Sequence, residues 1–440
     1  MYDLLIRDVA LLRIVGAQAT VESPSAIAIS GNRIAAIAPD ISPGLARETI
    51  TASGMLAMPG LINCHAHVPM GLMRGVGEDV LITHWFNQII WPMEVNLTAE
   101  DIYWGAMLGL AEMIEAGITT STDNYFMMDS VAQAFAESGM RGMLGQGFFS
   151  GPDERTHLEA AISFAQRWQG AANGRIRTGI SPHSTYTCTP EFLAHVGRRT
   201  QEEQLGVQIH LSETAEQVAL SRERYGRTPI QIAADAGLFA VPAIAAHVAH
   251  PSAEDIVLLR ENGVAVASCP KTSMKLGIGV APAVELRAAG ITVSLGSDGA
   301  GSNNTYDLLE AARLMAMHQK DRLRDPLVLP IGEALSLATS EGAKTLGLAG
   351  QTGELREGLA ADIALIKLDA THMWPQHNLA ANLLYSARAS DVDTVIVDGA
   401  VLMRGRQLLT IDKAQVIREI SARAERIAHT DDRRIQTYTA

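Results

Sequence analysis

Residues 55–67 read MLAMPGLINCHAH, an apolar run that ends in His65 and His67. Three later runs have the same form: GVQIHLSET at 206–214, AIAAHVAH at 243–250 and ITVSLGSDG at 291–299. Each pattern is typical of a buried β-strand that ends in a residue able to bind a metal. Strands of this kind predict a parallel sheet whose carboxyl ends bring these residues to one rim.

Between Pro59 and about residue 357, strand-like runs alternate with amphipathic stretches. The eight runs are LINCHAH, GITTSTDN, MRGMLGQGF, RIRTGISPHS, GVQIHLSE, AIAAHVAH, GVAVASCP and ITVSLGSDG. This alternation predicts βα units around a parallel sheet. Eight units predict a closed (β/α)₈ TIM barrel over residues 59–357, with its site at the carboxyl ends of the strands.

The segments on either side of the barrel have sequence patterns typical of β-strands. YDLLIRDVALL and SAIAISGNRIAAIAP precede it, and EGLAADIALIKLD and VDTVIVDGAVLMRG follow it. Short alternating runs separated by turn residues favour hairpins over helices. We expect residues 1–58 and 358–420 to form one small β-sandwich domain, and residues 421–440 to form a C-terminal helix or tail.

The composition bounds the class of partner. Basic and acidic side chains number 35 and 48, so the net charge is 35 − 48 = −13, which disfavours nucleic acid. No uncharged run reaches the roughly 18 residues of a membrane helix, and MYDLLIRDV does not read as a signal peptide. Three scattered cysteines suit a reducing compartment. We expect a cytoplasmic protein with neither a nucleic-acid nor a membrane partner.

The strand-end residues predict a metal centre. His65 and His67 are two apart on a strand, so both imidazoles point to the same face. His210 and Asp298 end later strands, and imidazole and carboxylate are ligands of zinc or ferrous iron. His247 ends another strand, while Glu213 follows His210 by three residues and is placed to carry protons.

Each of these residues has a structural alternative when it is taken alone. A single histidine in a barrel is more often a hydrogen-bonded core residue than a ligand, and a single aspartate after a strand is usually a helix N-cap. Five such residues at strand ends favour the metal site. We assign His250, close behind His247, to structure.

Other residues on the same rim are candidates for the substrate pocket. His183 follows the fourth strand in SPHSTYTC, where structural and functional roles are equally supported. Trp85 and Glu94 lie in the long stretch after the first strand, and loops in that place usually shape the pocket. Trp85 is able either to stack on an aromatic base or to anchor the loop.

Taken together, HAH after PGLIN, HLSET, AAHVAH and GSDGAGSNN resemble the amidohydrolase superfamily, and within it the methylthioadenosine/S-adenosylhomocysteine deaminase branch, which is related to s-triazine hydrolases. The resemblance spans nearly the whole chain. It implies that one zinc ion is bound by His65, His67, His210 and Asp298.

The resemblance also implies roles for the neighbouring residues. Glu213 passes a proton to the ring nitrogen, Asp298 takes a proton from the nucleophile, and His247 hydrogen-bonds the attacking hydroxide. His183 lines the pocket, and Glu94 matches a glutamate that holds the ribose hydroxyls of nucleosides.

One region departs from the pattern of the branch. Relatives hold the homocysteine carboxylate with arginines after the third strand, where this chain reads GMLGQGFFSGPDERTHLEAA. Gln146 stands where one arginine is expected, and Arg155 matches the other only approximately. An uncharged 5′ tail therefore fits at least as well.

The resemblance implies a metal-dependent deaminase of an adenosine derivative. The substrates that we expect are 5′-methylthioadenosine, S-adenosylhomocysteine or 5′-deoxyadenosine, each converted to its inosine analogue and ammonia. The alternative is an s-triazine chlorohydrolase or aminohydrolase, or a deaminase of guanine-like or pterin bases. Fold-level analogy favours a homo-oligomer.

Overall fold

The computed structural model describes residues 1–428. Within them the strands are β1 Tyr2–Val15, β2 Gln18–Ser30, β3 Arg33–Ala38, β4 Ala46–Thr51, β5 Met55–Pro59, β6 Leu61–Asn63, β7 Ile118–Tyr125, β8 Arg141–Phe148, β9 Ile176–Pro182, β10 Val207–Leu211, β11 Ala243–His247, β12 Ala265–Ser268, β13 Val293–Leu295, β14 Ile363–Lys367, β15 Val392–Val397, β16 Ala400–Arg404 and β17 Gln407–Leu408.

The helices follow the strands through the middle of the chain. They are α1 Ile82–His84, α2 Trp91–Glu94, α3 Ala99–Glu115, α4 Met128–Ser138, α5 Glu154–Trp168, α6 Pro190–Glu203, α7 Ala215–Tyr225, α8 Pro229–Asp235, α9 Ala253–Glu261, α10 Pro270–Leu276, α11 Ala283–Ala288, α12 Ala300–Asn303, α13 Leu308–Leu323, α14 Ile331–Ser336, α15 Ser340–Thr345, α16 Leu379–Tyr385 and α17 Lys413–Ala428. A π-helical segment, Trp85–Ile90, joins α1 to α2.

Strands β6 to β13 form the predicted barrel. They are hydrogen-bonded in sequence order, and every neighbouring pair is parallel. The first and last strands meet where the Cys64 amide donates to the Leu295 carbonyl at 2.9 Å. Below that point residues 337–338 lie between them, since Ile62 donates to Ala338. The (β/α)₈ prediction is therefore confirmed, with a short segment inserted into its last seam.

The N-terminal and C-terminal segments form one mixed sheet, so the expected association of the two chain ends is confirmed. The order is β17-β16-β15-β14-β5-β1-β2-β3, with β4 paired to β1. The sheet leads directly into the barrel, because only Gly60 separates β5 from β6. A side chain at Gly60 would lie 2.2 Å from Thr119, so the strand passes this point only with glycine.

The last helix, α17, runs from Lys413 to Ala428. The Asp412 carboxylate accepts a hydrogen bond from the Gln415 amide at 2.9 Å, which caps the first turn. Residues 429–440 of the expected helix or tail lie outside the described residues.

Two further features bear on the sequence expectations. The cysteines at 64, 188 and 269 are unpaired and buried. Within residues 1–428, no helix combines the length and the apolar character needed to cross a bilayer.

A buried ion cluster fastens the barrel to the terminal sheet. Arg141, at the start of β8, lies 3.3 Å from the carboxylate of Asp362 and 3.1 Å from that of Asp398. Asp362 is fully buried and also accepts from Thr352 at 2.7 Å. A charge in that position depends on its partners, because removal of one leaves the other without compensation.

We therefore predict that Arg141→Ala lowers the free energy of unfolding by about 3–5 kcal/mol, measured by urea denaturation. The control is Arg167→Ala, whose pair with Asp129 is more than half exposed and whose loss should cost at most about 1 kcal/mol. Equal losses for the two variants would contradict the assigned role.

Candidate active site

Four of the predicted ligands come together at the carboxyl end of the barrel. His67 Nε2 lies 3.4 Å and His65 Nε2 lies 3.8 Å from Asp298 Oδ1. The Nε2 atoms of His67 and His210 are 3.3 Å apart. These three contacts link the four groups in one cluster. Within residues 1–428, the sets of ligand atoms that lie within 4.8 Å of one another are His65, His210 and His247, and His65, Cys269 and Asp298.

His210 lies in β10, whereas His65 and His67 follow the end of β6 at Asn63 and Asp298 follows the end of β13 at Leu295. The two histidines are therefore not on a strand as predicted, but the barrel still joins residues more than two hundred positions apart.

Hydrogen bonds at the outer ring nitrogens set the tautomers. Nδ1 of His67 is 2.8 Å from the Asn124 carbonyl, and Nδ1 of His210 is 2.6 Å from the His183 carbonyl. A carbonyl only accepts, so each Nδ1 carries the proton and each Nε2 presents a lone pair. The two Nε2 atoms therefore cannot hydrogen-bond to each other when both rings are neutral, and a cation satisfies both.

The remaining polar atoms support the same interpretation. His65 Nε2 is buried and has no hydrogen-bond partner among the described residues. Burial, and then the neighbouring imidazoles, hold the pKa of His65 and His210 well below the usual range. Neutral imidazoles beside a carboxylate form a donor set that suits zinc or ferrous iron, so the residues present fit a divalent metal.

Three residues of the site region have left-handed backbone conformations. His247 has φ 68° and Asp298 has φ 64°, and Ser212, next to Glu213, has φ 49°. Non-glycine residues in the left-handed region cost about 1–3 kcal/mol each and persist where the surrounding structure holds them. Gly296 permits the approach of β13 to β6, since a side chain there would meet His65 Cβ at 2.6 Å.

Glu213 and His247 form a pair beside the ligand cluster. His247 Nε2 lies 3.7 Å from Glu213 Oε1, and both side chains are buried. Gln217 donates to the other oxygen of Glu213 at 3.3 Å. Gln217 is also the N3 residue of the capping box that Thr214 begins at α7, so the start of this helix helps to hold the Glu213 carboxylate.

A cavity opens above the cluster and is mostly aromatic and apolar. Its lining contains no lysine and no arginine among the described residues. The aromatic residues of the lining are Trp85, Phe86, Trp91, Tyr125, Phe126, Phe149 and Tyr186, with His67, His183, His210 and His247. Flat rings of this kind are suited to stacking on a planar heterocycle.

Glu94 supplies a carboxylate to the cavity wall. Tyr125 donates to Glu94 Oε1 at 2.6 Å, which leaves Oε2 available to a ligand. Burial raises the pKa of Glu94 to about 7, and the hydrogen bond from Tyr125 opposes that shift. A carboxylate that titrates near neutrality in a cleft is a candidate for function.

The other pocket candidates divide into those that line the cavity and one that does not. Trp85 and His183 line it. Burial lowers the pKa of His183 to about 3, so its ring is neutral. The prediction that Arg155 belongs to the pocket is not supported. Arg155 lies in the first turn of α5 with an exposed side chain and does not line the cavity. Gln146 does not line it either, because side chains alternate along β8 and Gly147 takes the inward position.

Sequence reasoning missed several residues of the wall. Asn124 and Tyr125 end β7, and Phe149 follows β8 directly. The rule that found the ligands, which is that barrel-strand ends face the site, also applies to these positions. They were missed because amides and aromatic residues are common in cores and carry no metal-binding signature.

The sequence and the fold were compared with those of known proteins. The model of the Amidohydrolase family matches residues 56–402. The chain is 44% identical to the 5-methylthioadenosine/S-adenosylhomocysteine deaminase of Desulforudis audaxviator over 96% of this chain and 99% of that protein. An adenosine deaminase from Xanthomonas campestris with bound zinc superposes with a TM-score of 0.92 at 30% identity, covering 97% and 98% of the two chains. Atrazine chlorohydrolase from Arthrobacter aurescens, complexed with zinc, gives 0.86 at 25% identity, covering 96% and 100%.

The ligand assignment predicts the effect of single histidine replacements. His210→Ala removes one of four ligands, so its affinity for zinc should fall at least about tenfold, measured by competition with a chelating dye. His250→Ala is the matched control, because His250 Nε2 bonds to the Ile278 carbonyl instead and its affinity should be unchanged. Undiminished affinity in His210→Ala would remove this residue from the site.

The raised pKa of Glu94 predicts a dependence of stability on pH. Folding raises this pKa from 4.5 to about 7, so the ionised form destabilises the fold fully above pH 7 and not at all below about pH 4.5. Glu94→Gln in chelator-treated protein should melt above wild type at pH 8, and the difference should shrink towards pH 5. Exposed Glu191→Gln should show no such gain. A difference between Glu94→Gln and wild type that is independent of pH would contradict the buried charge.

Proposed function

Because the chain belongs to the Amidohydrolase family, as its motifs indicated, we propose that it catalyses the hydrolytic deamination of an adenosine derivative at C6. The products are ammonia and the inosine analogue. The observation that carries the proposal is the combination of the His/Asp cluster with Glu213 beside it and a fixed carboxylate, Glu94, on the same cavity. The 44% identity to a named nucleoside deaminase points the same way.

The residues that would hold the metal are His65, His67, His210 and Asp298, and we propose zinc as the resident ion in preference to ferrous iron. Zinc bound there supplies a Lewis acid that makes water nucleophilic at neutral pH. Two solved relatives carry zinc according to their descriptions.

The side chains around the cluster divide the proton transfers. Asp298 takes the proton that the attacking water loses, and His247 hydrogen-bonds the attacking oxygen and directs it to C6. Glu213 gives a proton to N1, so negative charge does not build up on the ring. Asp298 then passes its proton to the amino group, which leaves as ammonia. As the C6 carbonyl forms, the proton remaining on the attacking oxygen returns to Glu213, which replaces the proton given to N1. Positioned acid–base groups of this kind contribute about 10²–10⁴-fold.

The cavity wall accounts for recognition of a nucleoside. Oε2 of Glu94 accepts hydrogen bonds from the ribose hydroxyls, while Tyr125 holds the other oxygen. The aromatic lining stacks on the adenine ring, and His183 contributes a neutral ring to the same wall. This holds C6 in line for attack.

The same wall bears on the 5′ substituent. A carboxylate is costly to bury without a counter-ion, and the cavity lining within residues 1–428 holds no lysine or arginine. Arg155 is exposed on α5 and does not supply one. We therefore favour 5′-methylthioadenosine and 5′-deoxyadenosine over S-adenosylhomocysteine.

We also propose a cellular location and an oligomeric state for the enzyme. Unpaired, buried cysteines fit a cytoplasmic location, and the fold favours a homo-oligomer by analogy. Light scattering coupled to size exclusion measures the mass of the assembly against 47.1 kDa for one chain.

A substrate panel tests the function. Ammonia release should be fastest with 5′-methylthioadenosine or 5′-deoxyadenosine, slower with adenosine and S-adenosylhomocysteine, and slowest with guanine and melamine. The triazine alternative has support from the aromatic cavity and the 25% identity to a chlorohydrolase. Turnover of melamine or atrazine ahead of every nucleoside would replace the proposal with that alternative.

The assigned proton transfers predict the outcome of an isosteric change. Glu213→Gln cannot protonate N1, so kcat should fall about 10²–10⁴-fold while zinc content stays at the wild-type level. The matched control is Glu216→Gln, an exposed glutamate in the first turn of the same helix. Steady-state kinetics and metal analysis provide the measurements, and an unimpaired Glu213→Gln variant removes the acid role.

A further inference from the structure

The C-terminal helix α17 packs against α3 and α2. Its Ile427 is fully buried in the main core. Arg423 and Arg426 are three residues apart on this helix, so they lie on one face of it. Both reach Asp101 in the first turn of α3: Arg426 Nη2 lies 2.5 Å and Arg423 Nε lies 3.3 Å from Asp101 Oδ1.

Asp101 is a buried carboxylate that also closes the first turn of α3. It is 1% exposed, and its Oδ2 accepts hydrogen bonds from the amide and the hydroxyl of Thr98, each at 2.7 Å. One oxygen is therefore used by the helix cap and the other by α17. A carboxylate in this position depends on such partners, because its charge is otherwise uncompensated.

Arg426 also holds the connection between α2 and α3. Its Nη1 donates to the Asn96 carbonyl at 3.0 Å. Asn96 is itself bound to α2, because its side chain donates to the Pro92 carbonyl at 3.3 Å and its amide donates to the Met93 carbonyl at 3.0 Å. Glu94 is the last residue of α2, so it lies two residues from the carbonyl that Arg426 binds.

We propose that Arg426 is a positioning residue, which holds the backbone of Glu94 where its carboxylate meets the ribose hydroxyls. The inference rests on the proposed nucleoside deamination. Tyr125 donates to one oxygen of this carboxylate at 2.6 Å, but the end of α2 is held separately, by Asn96 and Arg426. A misplacement of about 1 Å caused by a distant mutation costs about 10²-fold in rate, so the loss of Arg426 should be felt at Glu94.

The experiment compares two substrates in the same preparation: 5′-methylthioadenosine and its 2′,3′-dideoxy counterpart. We define the hydroxyl ratio as kcat/KM of the first divided by kcat/KM of the second. It should be at least about tenfold in the wild-type enzyme, because the hydroxyls bond to a charged group, and it should fall towards one in Arg426→Ala.

The hydroxyl ratio separates positioning from a general loss of structure. Arg426 is half-exposed, so its replacement does not open the core. A loss of folded enzyme lowers both kcat/KM values by the same factor and leaves the hydroxyl ratio unchanged. Only a change at the groups that contact the ribose alters it.

Matched variants locate the effect. Arg418→Ala, at an exposed position of the same helix, should keep the wild-type hydroxyl ratio. Arg426→Lys keeps the charge but loses the fork that reaches Asp101 and Asn96 together, so its hydroxyl ratio should be intermediate. Glu94→Ala should lower the hydroxyl ratio towards one, and adding Arg426→Ala to it should lower the ratio no further.

The outcomes separate this inference from the proposed function. A large wild-type hydroxyl ratio that is unchanged in Arg426→Ala, or one that falls further in the double variant than in Glu94→Ala, overturns the positioning role and leaves the deaminase. A wild-type hydroxyl ratio near one removes the ribose contact of Glu94 and, with it, this inference. Absence of turnover with every adenosine derivative overturns the proposed function as well.

Discussion

The site depends on the convergence of buried hydrogen-bond acceptors. His67 and His210 commit their Nδ1 protons to backbone carbonyls, so their Nε2 atoms lie 3.3 Å apart and each presents a lone pair with no proton between them. The carboxylate of Asp298 adds a negative charge to the same space. Such an arrangement is unfavourable alone and becomes favourable around a cation, and this is the physical basis of the proposed metal site.

The barrel holds that arrangement through its seam and its strand ends. Residues 337–338 take part in the closure between β6 and β13, and Gly296 lets the two strands approach. The backbone is left-handed at His247 and Asp298, a conformation that persists in non-glycine residues only where the surrounding structure holds it. Stability supplied elsewhere, as by the Arg141 cluster, offsets this local strain.

Polar and aromatic residues line different parts of the cavity, an arrangement that suits a planar heterocycle bearing hydroxyl groups. Glu213, His247 and Asp298 line the cavity beside the histidine cluster, while Glu94 places a carboxylate among the aromatic rings of the lining. Burial makes that carboxylate costly, and Tyr125 reduces the cost with one hydrogen bond. A group retained at such a cost is expected to act on the ligand, and ribose hydroxyls are the donors that match it.

The sequence by itself determined the architecture and predicted the residues of the proposed ligand set. Strand periodicity and the residues at strand ends are local properties, so LINCHAH, GVQIHLSE and ITVSLGSDG were sufficient to predict the barrel and to place His65, His67, His210 and Asp298 on one rim. The packing around the site was decided only by the tertiary structure: Arg155 faces solvent, the Asn124 carbonyl bonds to His67, and Tyr125 bonds to Glu94. These facts depend on contacts between residues far apart in the chain, and such contacts leave no periodic trace in the order of amino acids.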